Sequence, residues 1–365
     1  MKKSKKKKKI LFVINSIEKG GAERQMLYIL QHIDRSLFIP HLIIFKKTGR
    51  EKELLPEDVP YTLCPLYGGF FSKIYGLFLY IYKAISFRPD FILSYLWKTN
   101  LLSIFIGKIT FKKVIISERT HLSIHLNEYK LNYFWKKLIR IIYPLSYRII
   151  SVSKDTEKDL INNFGIKENK TITIPNGLDI EKTKKLANKK RPLNEKYIFS
   201  CGRLSVEKNY ELLIRAVAQL PNLSLVIAGE GPLKEKLLQE AEEQNLKLIL
   251  PGHLTNPFVW MKHAEIFSLT SFYEGFPNVV LEAMAVEVPV VCLDFPGGTN
   301  ELIEHNYSGI IVKERDAKKL AEEFKRLLED KKLRDKISQQ ASEKIKEFSI
   351  EKTVLQYKKI LSSNF

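Results

Sequence analysis

At 365 residues, with 45% hydrophobic and 28% charged side chains, the chain is too long for one ordinary core and too apolar for a disordered or fibrous polypeptide, so two globular domains are predicted. Its three widely spaced cysteines, Cys64, Cys201 and Cys292, exclude a disulfide framework or a cysteine zinc site and fit a reducing cytosol. The formal charge of +19 gathers in residues 1–180, which hold 31 Lys/Arg against 15 Asp/Glu; such a half serves nucleic acid, anionic lipid or phosphorylated ligands, and charge alone does not choose among them.

The lysine run at 2–9 leads into apolar residues 10–14, too short for the core of a signal peptide, which predicts a polybasic tail and a first strand. The chain then turns through Glu18, Lys19, Gly20 and Gly21 into a helical pattern near Ala22. Two glycines there let a backbone approach a ligand, and a helix start offers N–H groups to phosphate. The third glycine of a dinucleotide fingerprint is missing, since Arg24 and Gln25 stand in its place, and a plain tight turn explains the glycines equally well. Further strands are predicted at 41–45, 91–93, 114–116, 148–152 and 171–174. Among them, segments 70–88 and 129–148 interleave aromatics with cations, as suits a lipid headgroup region, although one face of each helix must also be core. The longest apolar run, 74–82, is half the ~18 residues of a spanning helix, so no membrane crossing is expected.

Residues 181–196 are charged, hold Pro192 and few large apolar side chains, and read as a hinge. A second series of strands follows at 197–201, 223–228, 246–250, 266–269, 288–292 and 309–312, and residues 316–362 read as two amphipathic helices. Short apolar runs alternating with longer amphipathic segments are the mark of parallel sheets covered by helices. The fold class is therefore α/β with two Rossmann-like, doubly wound domains: residues 1–185, residues 186–345, and a closing segment 346–365 predicted to cross back to the first domain.

Two runs carry chemistry. Strand 197–201 runs into Gly202, then Arg203 and Lys208 from a loop at the carboxyl edge of the sheet, where such sheets bind ligands. A diphosphate is the natural guest, and a solvated surface pair is the bland alternative. In the run 271–285, Glu274 sits in a glycine- and proline-containing loop before a helix, whereas Glu282 lies about one turn inside it, with seven residues between them. Glu274 can reach a sugar over the helix start and Glu282 can accept from ribose hydroxyls; a helix cap and a solvated side chain fit the spacing too.

The latter run resembles the signature of glycosyltransferase family 4, of the GT-B fold, and the resemblance covers nearly the whole chain: GGAER after the first strand, PNGLD at 175–179, GRLSVEKN at 202–209, AGEGP at 228–232, EGFPNVVLEAMA at 274–285 and PGGTNELI at 296–303. It implies that Arg203 and Lys208 hold a donor diphosphate, that Glu274 faces the donor sugar without acting as a nucleophile, and that Gly275, Phe276, Pro277, Asn278 and Val279 meet sugar and phosphate. It further implies that Glu282 binds ribose, that Gly202, Gly20 and Gly21 line the diphosphate and reacting sugar, and that His253 with Leu254 meets the base. Members retain anomeric configuration and need no metal or other cofactor, the cations and helix dipole serving instead. Many place a histidine after a first-domain strand, near the acceptor; here strand-end position offers Glu118, with Arg119 beside it, and chemical type offers His121.

The expected partners are a nucleotide-sugar donor, a glycan or lipid-linked acceptor and an anionic membrane surface on the cytoplasmic side, with no nucleic acid. The expected activity is transfer of a hexose or N-acetylhexosamine, the EGFPN turn inclining by resemblance to the latter, from a UDP-sugar. A same-fold phosphorylase or epimerase keeps the architecture and changes the reaction; a nucleic-acid-binding protein would use the charge alone, without any recognised module.

Overall fold

The computed structural model describes residues 6–17, 20–47, 53, 55–129 and 131–362. Glu18 and Lys19 of the glycine turn and residues 2–5 of the lysine run lie outside them. The chain forms two compact units, one of Met1–Gly177 with Ile350–Phe365, the other of Leu178–Ser349.

Unit 1 holds β1 (Lys8–Ile14), β2 (Phe38–Ile44), β3 (Tyr61–Leu63), β4 (Phe91–Tyr95), β5 (Lys113–Glu118), β6 (Arg148–Ser151) and β7 (Thr171–Thr173). They form a seven-stranded sheet in the order β3-β2-β1-β4-β5-β6-β7, parallel throughout. The run Ile10–Ile14 of β1 is buried on both faces, which is why the strand reads as an unbroken apolar run rather than an alternating one. Alternation still divides it: Ile10, Phe12 and Ile14 join Met26, Ile29 and Leu30 of the helix Gly21–His32 in one core. Leu11 and Val13 join Tyr80 and Ala84 of the helix Phe70–Ser86 and Leu101 and Ile104 of the helix Trp97–Ile109 in the other. The helix Ile350–Ser362 belongs to the first of these cores through Tyr357, Ile360 and Leu361.

Unit 2 holds β8 (Tyr197–Cys201), β9 (Ser224–Ala228), β10 (Leu248–Ile249), β11 (Ile266–Leu269), β12 (Val290–Leu293) and β13 (Ile310–Val312), a six-stranded parallel sheet in the order β10-β9-β8-β11-β12-β13. In both sheets the strand order reverses once, between β1 and β4 and between β8 and β11. At such switch points neighbouring loops diverge above the carboxyl edge and leave room for a ligand.

Three sequence-based expectations differ from what is observed. The units divide at Gly177/Leu178 rather than at 185/186, and the first half of the expected hinge is the helix Ile180–Ala187, its start capped by the Asp179 carboxylate accepting from the Lys182 N–H, while 188–196 has no helix or strand. Residues 316–362 make three helices, not two, because Asp330 caps a new helix at Lys331–Lys344 and a further break precedes Ile350. The edge strand β3 had no counterpart in the sequence reading. No helix among the described residues is long and apolar enough to cross a membrane.

Candidate active site

At the switch point of unit 2 the loops following β8 and β11 are sewn together because their strands are neighbours. The Phe272 N–H donates to the Glu207 carbonyl (2.8 Å), and the Thr270 hydroxyl donates to the carbonyls of Lys208 and Asn209, each at 3.0 Å. That seam delivers Lys208 to Glu274: its ammonium lies 2.5 Å from Oε1, with side-chain exposures of 16% and 17%. The same oxygen accepts from the Ser271 hydroxyl at 2.7 Å. Arg203, earlier in the β8 loop, is exposed and makes no ion pair or side-chain hydrogen bond among the described residues. Of the three residues singled out from the sequence, Lys208 and Glu274 thus meet, and Arg203 stands on the same loop as a solvated cation.

Two glycines make the approach of these loops possible. A Cβ at Gly229, in the loop after β9, would lie 1.8 Å from the Gly202 carbonyl oxygen, and one at Gly297, after β12, would lie 2.0 Å from that of Glu274. Gly252, beside His253 and Leu254 after β10, accepts from the Gly229 N–H at 2.8 Å, so the base-side loop is tied into the same seam. His253 is exposed and Leu254 partly so.

The helix Asn278–Ala285 starts directly behind Glu274. Gly275, Phe276 and Pro277 are buried and Asn278 and Val279 half-buried, which leaves the start of that helix reachable near the carboxylate. Glu282 is buried within the helix.

One contributor escaped the sequence reading. Arg315, beyond β13, donates to the carbonyls of Ser271 (3.2 Å) and Phe272 (3.1 Å) and lies 5.0 Å from the centre of the Phe272 ring. It fixes the two residues that lead into Glu274. An arginine just before a helix cap in a charged stretch carries no signal in sequence. Arg315→Ala is expected to lower kcat roughly tenfold through misalignment of Glu274, with a melting temperature within a few degrees of the parent; steady-state kinetics beside a thermal melt checks it.

In unit 1 the helix Gly21–His32 begins at the switch point. Gly20, its cap, is extended at φ -79, and a Cβ there would meet only the Glu23 carboxylate, a flexible side-chain end that can swing aside, so neither φ nor packing demands glycine at this position.

The acceptor-side candidates separate. Glu118 is fully buried; its Oε2 accepts from the Tyr143 hydroxyl at 2.8 Å, and its Oε1 from the Arg119 N–H and the Thr120 hydroxyl, each at 3.0 Å. Arg119 is buried too, its guanidinium 4.0 Å from the Tyr95 ring centre and donating to Asn176 Oδ1. Both are therefore corrected from acceptor-contacting to internal residues, being buried and bonded to neighbours within unit 1. His121 is half-buried, with Nδ1 3.7 Å from Oδ2 of the buried Asp159. Asp159, unnoticed in the sequence, also accepts from the Ser123 N–H at 2.9 Å and so holds the His121 turn in place.

Burial pushes the Glu118 carboxyl from its usual 4.5 up to about 7, the Tyr143, Arg119 and Thr120 donors opposing it only in part. The folded state thus holds this proton more firmly than the unfolded chain. Its contribution to stability is complete below the unfolded value and is lost as pH rises toward 7. Thermal melts from pH 4.5 to 8 are expected to show this loss, on the order of 3 kcal/mol, in the parent and not in Glu118→Gln.

Comparison with known proteins gives two family matches: the description "Glycosyltransferase Family 4" fits residues 19–182, and "Glycosyl transferases group 1" fits residues 181–344. The chain is 37% identical over 240 residues, 65% of its length and 66% of the relative's, to the Campylobacter jejuni N-acetylgalactosamine-N,N'-diacetylbacillosaminyl-diphospho-undecaprenol 4-alpha-N-acetylgalactosaminyltransferase. It is 28% identical over 356 residues, 94% of its length and 95% of the relative's, to the GalNAc-alpha-(1->4)-GalNAc-alpha-(1->3)-diNAcBac-PP-undecaprenol alpha-1,4-N-acetyl-D-galactosaminyltransferase of the same organism. Among solved structures, Anabaena HepE in complex with UDP and glucose matches with a TM-score of 0.83 at 21% identity, over 97% of this chain and 99% of that one.

Proposed function

Since the chain belongs to glycosyltransferase family 4 and is a glycosyltransferase of the GT-B fold, we propose that it moves an N-acetylhexosamine, or less readily a plain hexose, from a UDP-sugar to a lipid-linked glycan in cell-envelope polysaccharide synthesis. The observation that carries the reading is the Lys208–Glu274 pair, set on sewn loops at the switch point of unit 2. The choice of an N-acetylated sugar and a polyprenyl-diphosphate acceptor is supported by likeness to the two Campylobacter jejuni N-acetylgalactosaminyltransferases.

In this reading the donor diphosphate draws the Lys208 ammonium away from Glu274 and takes up Arg203 as its second cation. The released carboxylate then accepts hydrogen bonds from the sugar hydroxyls. As the bond from the anomeric carbon to the diphosphate oxygen breaks, negative charge grows on the leaving group, where both cations and the start of the helix Asn278–Ala285 stabilise it without a metal. The acceptor hydroxyl oxygen bonds to the same face of the anomeric carbon, and its proton passes to the departing phosphate, which retains configuration. The protein works from the cytoplasmic face of a membrane, attached peripherally.

Donor hydrolysis screened over UDP, GDP and ADP sugars tests this. Turnover with UDP-N-acetylhexosamines above all others is expected; silence with every donor would overturn it.

A further inference from the structure

The helix Phe70–Ser86 turns Phe70, Phe71, Ile74, Phe78, Tyr82 and Ile85 to solvent, Phe71 at 85% exposure. From Phe71 onward the spacing is three or four residues, with Phe70 set four before Ile74, so they form one continuous stripe. The opposite face is apolar as well: Tyr80 and Ala84 enter the core, and Gly76 presses so near the Pro65 carbonyl that a Cβ would lie 2.5 Å from its oxygen. A helix apolar on both faces buries both.

The helix Trp97–Ile109, packed alongside, adds exposed Phe105 and Ile109, and the turn after it projects Phe111 at 95% exposure. The segments that leave these two helices meet at a pocket of about 380 Å³ lined by Lys8, Asp90, Phe111, Lys112 and Lys113, among others. Burial and the Lys113 ammonium pull the Lys8 ammonium below its ordinary pKa against the opposing influence of Asp90.

From residue 59 to 117 the sequence contains seven Lys/Arg and one acid, Asp90, whose Oδ2 already accepts from the Lys9 N–H at 2.7 Å. Unit 2 shows nothing comparable: of the large hydrophobics exposed among the described residues, it holds Val206, Leu238, Phe272 and Tyr307, and all others belong to unit 1. An apolar stripe without carboxylates, ending in a lysine pocket, matches a bilayer surface in which acyl chains lie beneath anionic phosphates. A second copy of the chain does not match it, since that would bring cation against cation with a single acid on each side.

We propose that unit 1 docks on an anionic phospholipid leaflet through the stripe of Phe70–Ser86, with Phe105, Ile109 and Phe111 continuing it and Lys8, Lys112 and Lys113 taking a lipid phosphate. The expectation of a membrane rests on the lipid-linked acceptor reading above; the docking element and its lipid chemistry go beyond it. The helix lies in the interface and does not cross, since its inner face is already committed to the core of unit 1.

Flotation of the full chain with phosphatidylcholine vesicles, with and without phosphatidylglycerol, tests the proposal. The parent is expected to bind the anionic vesicles roughly tenfold better than the neutral ones, and F70S/F71S/F78S to lose roughly tenfold in binding to the anionic set. K112E/K113E is expected to lose most of the preference for phosphatidylglycerol. Melting temperature and UDP binding of the same preparations should match the parent, which keeps failure of docking distinct from failure of the donor-site reading. The proposal is overturned if F70S/F71S/F78S floats like the parent, if the parent binds neither vesicle, or if the parent is a dimer that this variant renders monomeric.

Discussion

Lys208→Ala lowers kcat by roughly two to three orders of magnitude, the cost of removing one charge placed in advance where a transition state develops its own. The companion measurement is more telling. Lys208 and Glu274 satisfy one another in the free protein at 2.5 Å, so a diphosphate must compete with Glu274 for the ammonium. Glu274→Gln therefore binds UDP a few-fold more tightly than the parent, the worth of a partly exposed ion pair, while its turnover with a UDP-sugar falls about as far as that of Lys208→Ala. Lys208→Ala binds UDP more weakly. Calorimetric titration of UDP into both variants beside single-turnover kinetics checks the pair of results, and equal UDP affinity in parent and Glu274→Gln would sink the exchange of partners.

The second large effect lies away from any charge. Gly297 has φ +123, a region open to glycine, and a Cβ there would lie 2.0 Å from the Glu274 carbonyl oxygen and 2.5 Å from its carbon. These are backbone atoms, which cannot rotate aside as a flexible side chain can. Gly297→Ala must move the loop that presents Glu274, and it is expected to cost roughly 1–3 kcal/mol of stability and at least tenfold in kcat. Gly165→Ala is the control: φ is +68, but a Cβ there meets nothing within 4 Å. It should lower the melting temperature modestly and leave kcat alone. Equal kinetic losses in both variants would attribute the effect to global destabilisation rather than to the position of Glu274.

The residues that made the fold legible are the apolar runs of central strands. Ile10–Ile14, the β8 segment and the β11 segment are buried on both sides and flanked by turn chemistry, so composition alone marks them. Tyr61–Leu63 follows Pro60, lies at a sheet edge and is half-buried, which gives it neither a long run nor alternation. The helix Ile180–Ala187 was hidden for a related reason: it buries Thr183 and Ala187, not large apolar side chains, and so resembles a linker.

At the site, Lys208 and Glu274 were legible because each sits in a dense local motif. The partners that hold them were not. Arg315 acts on the carbonyls of Ser271 and Phe272 across the sheet edge, a relation set by strand order and not by spacing. Glu118 misled for the opposite reason. A carboxylate at a strand end looks available in sequence, and only the Tyr143 hydroxyl reaching it from a distant turn shows that the fold has already claimed it.

Unit 1 is written in two pieces, since the side of its sheet that bears Ile10, Phe12 and Ile14 is covered partly by Tyr357, Ile360 and Leu361. During synthesis on the ribosome, every residue of unit 2 emerges before that cover does. The later part of the chain can reach its final form first, while the earlier part waits with a strip of bare apolar surface beside β1. A released chain that ended at Ser349 would hold all of unit 2 but leave unit 1 sticky and unfinished, and it is the unfinished one that a trigger-type chaperone would hold.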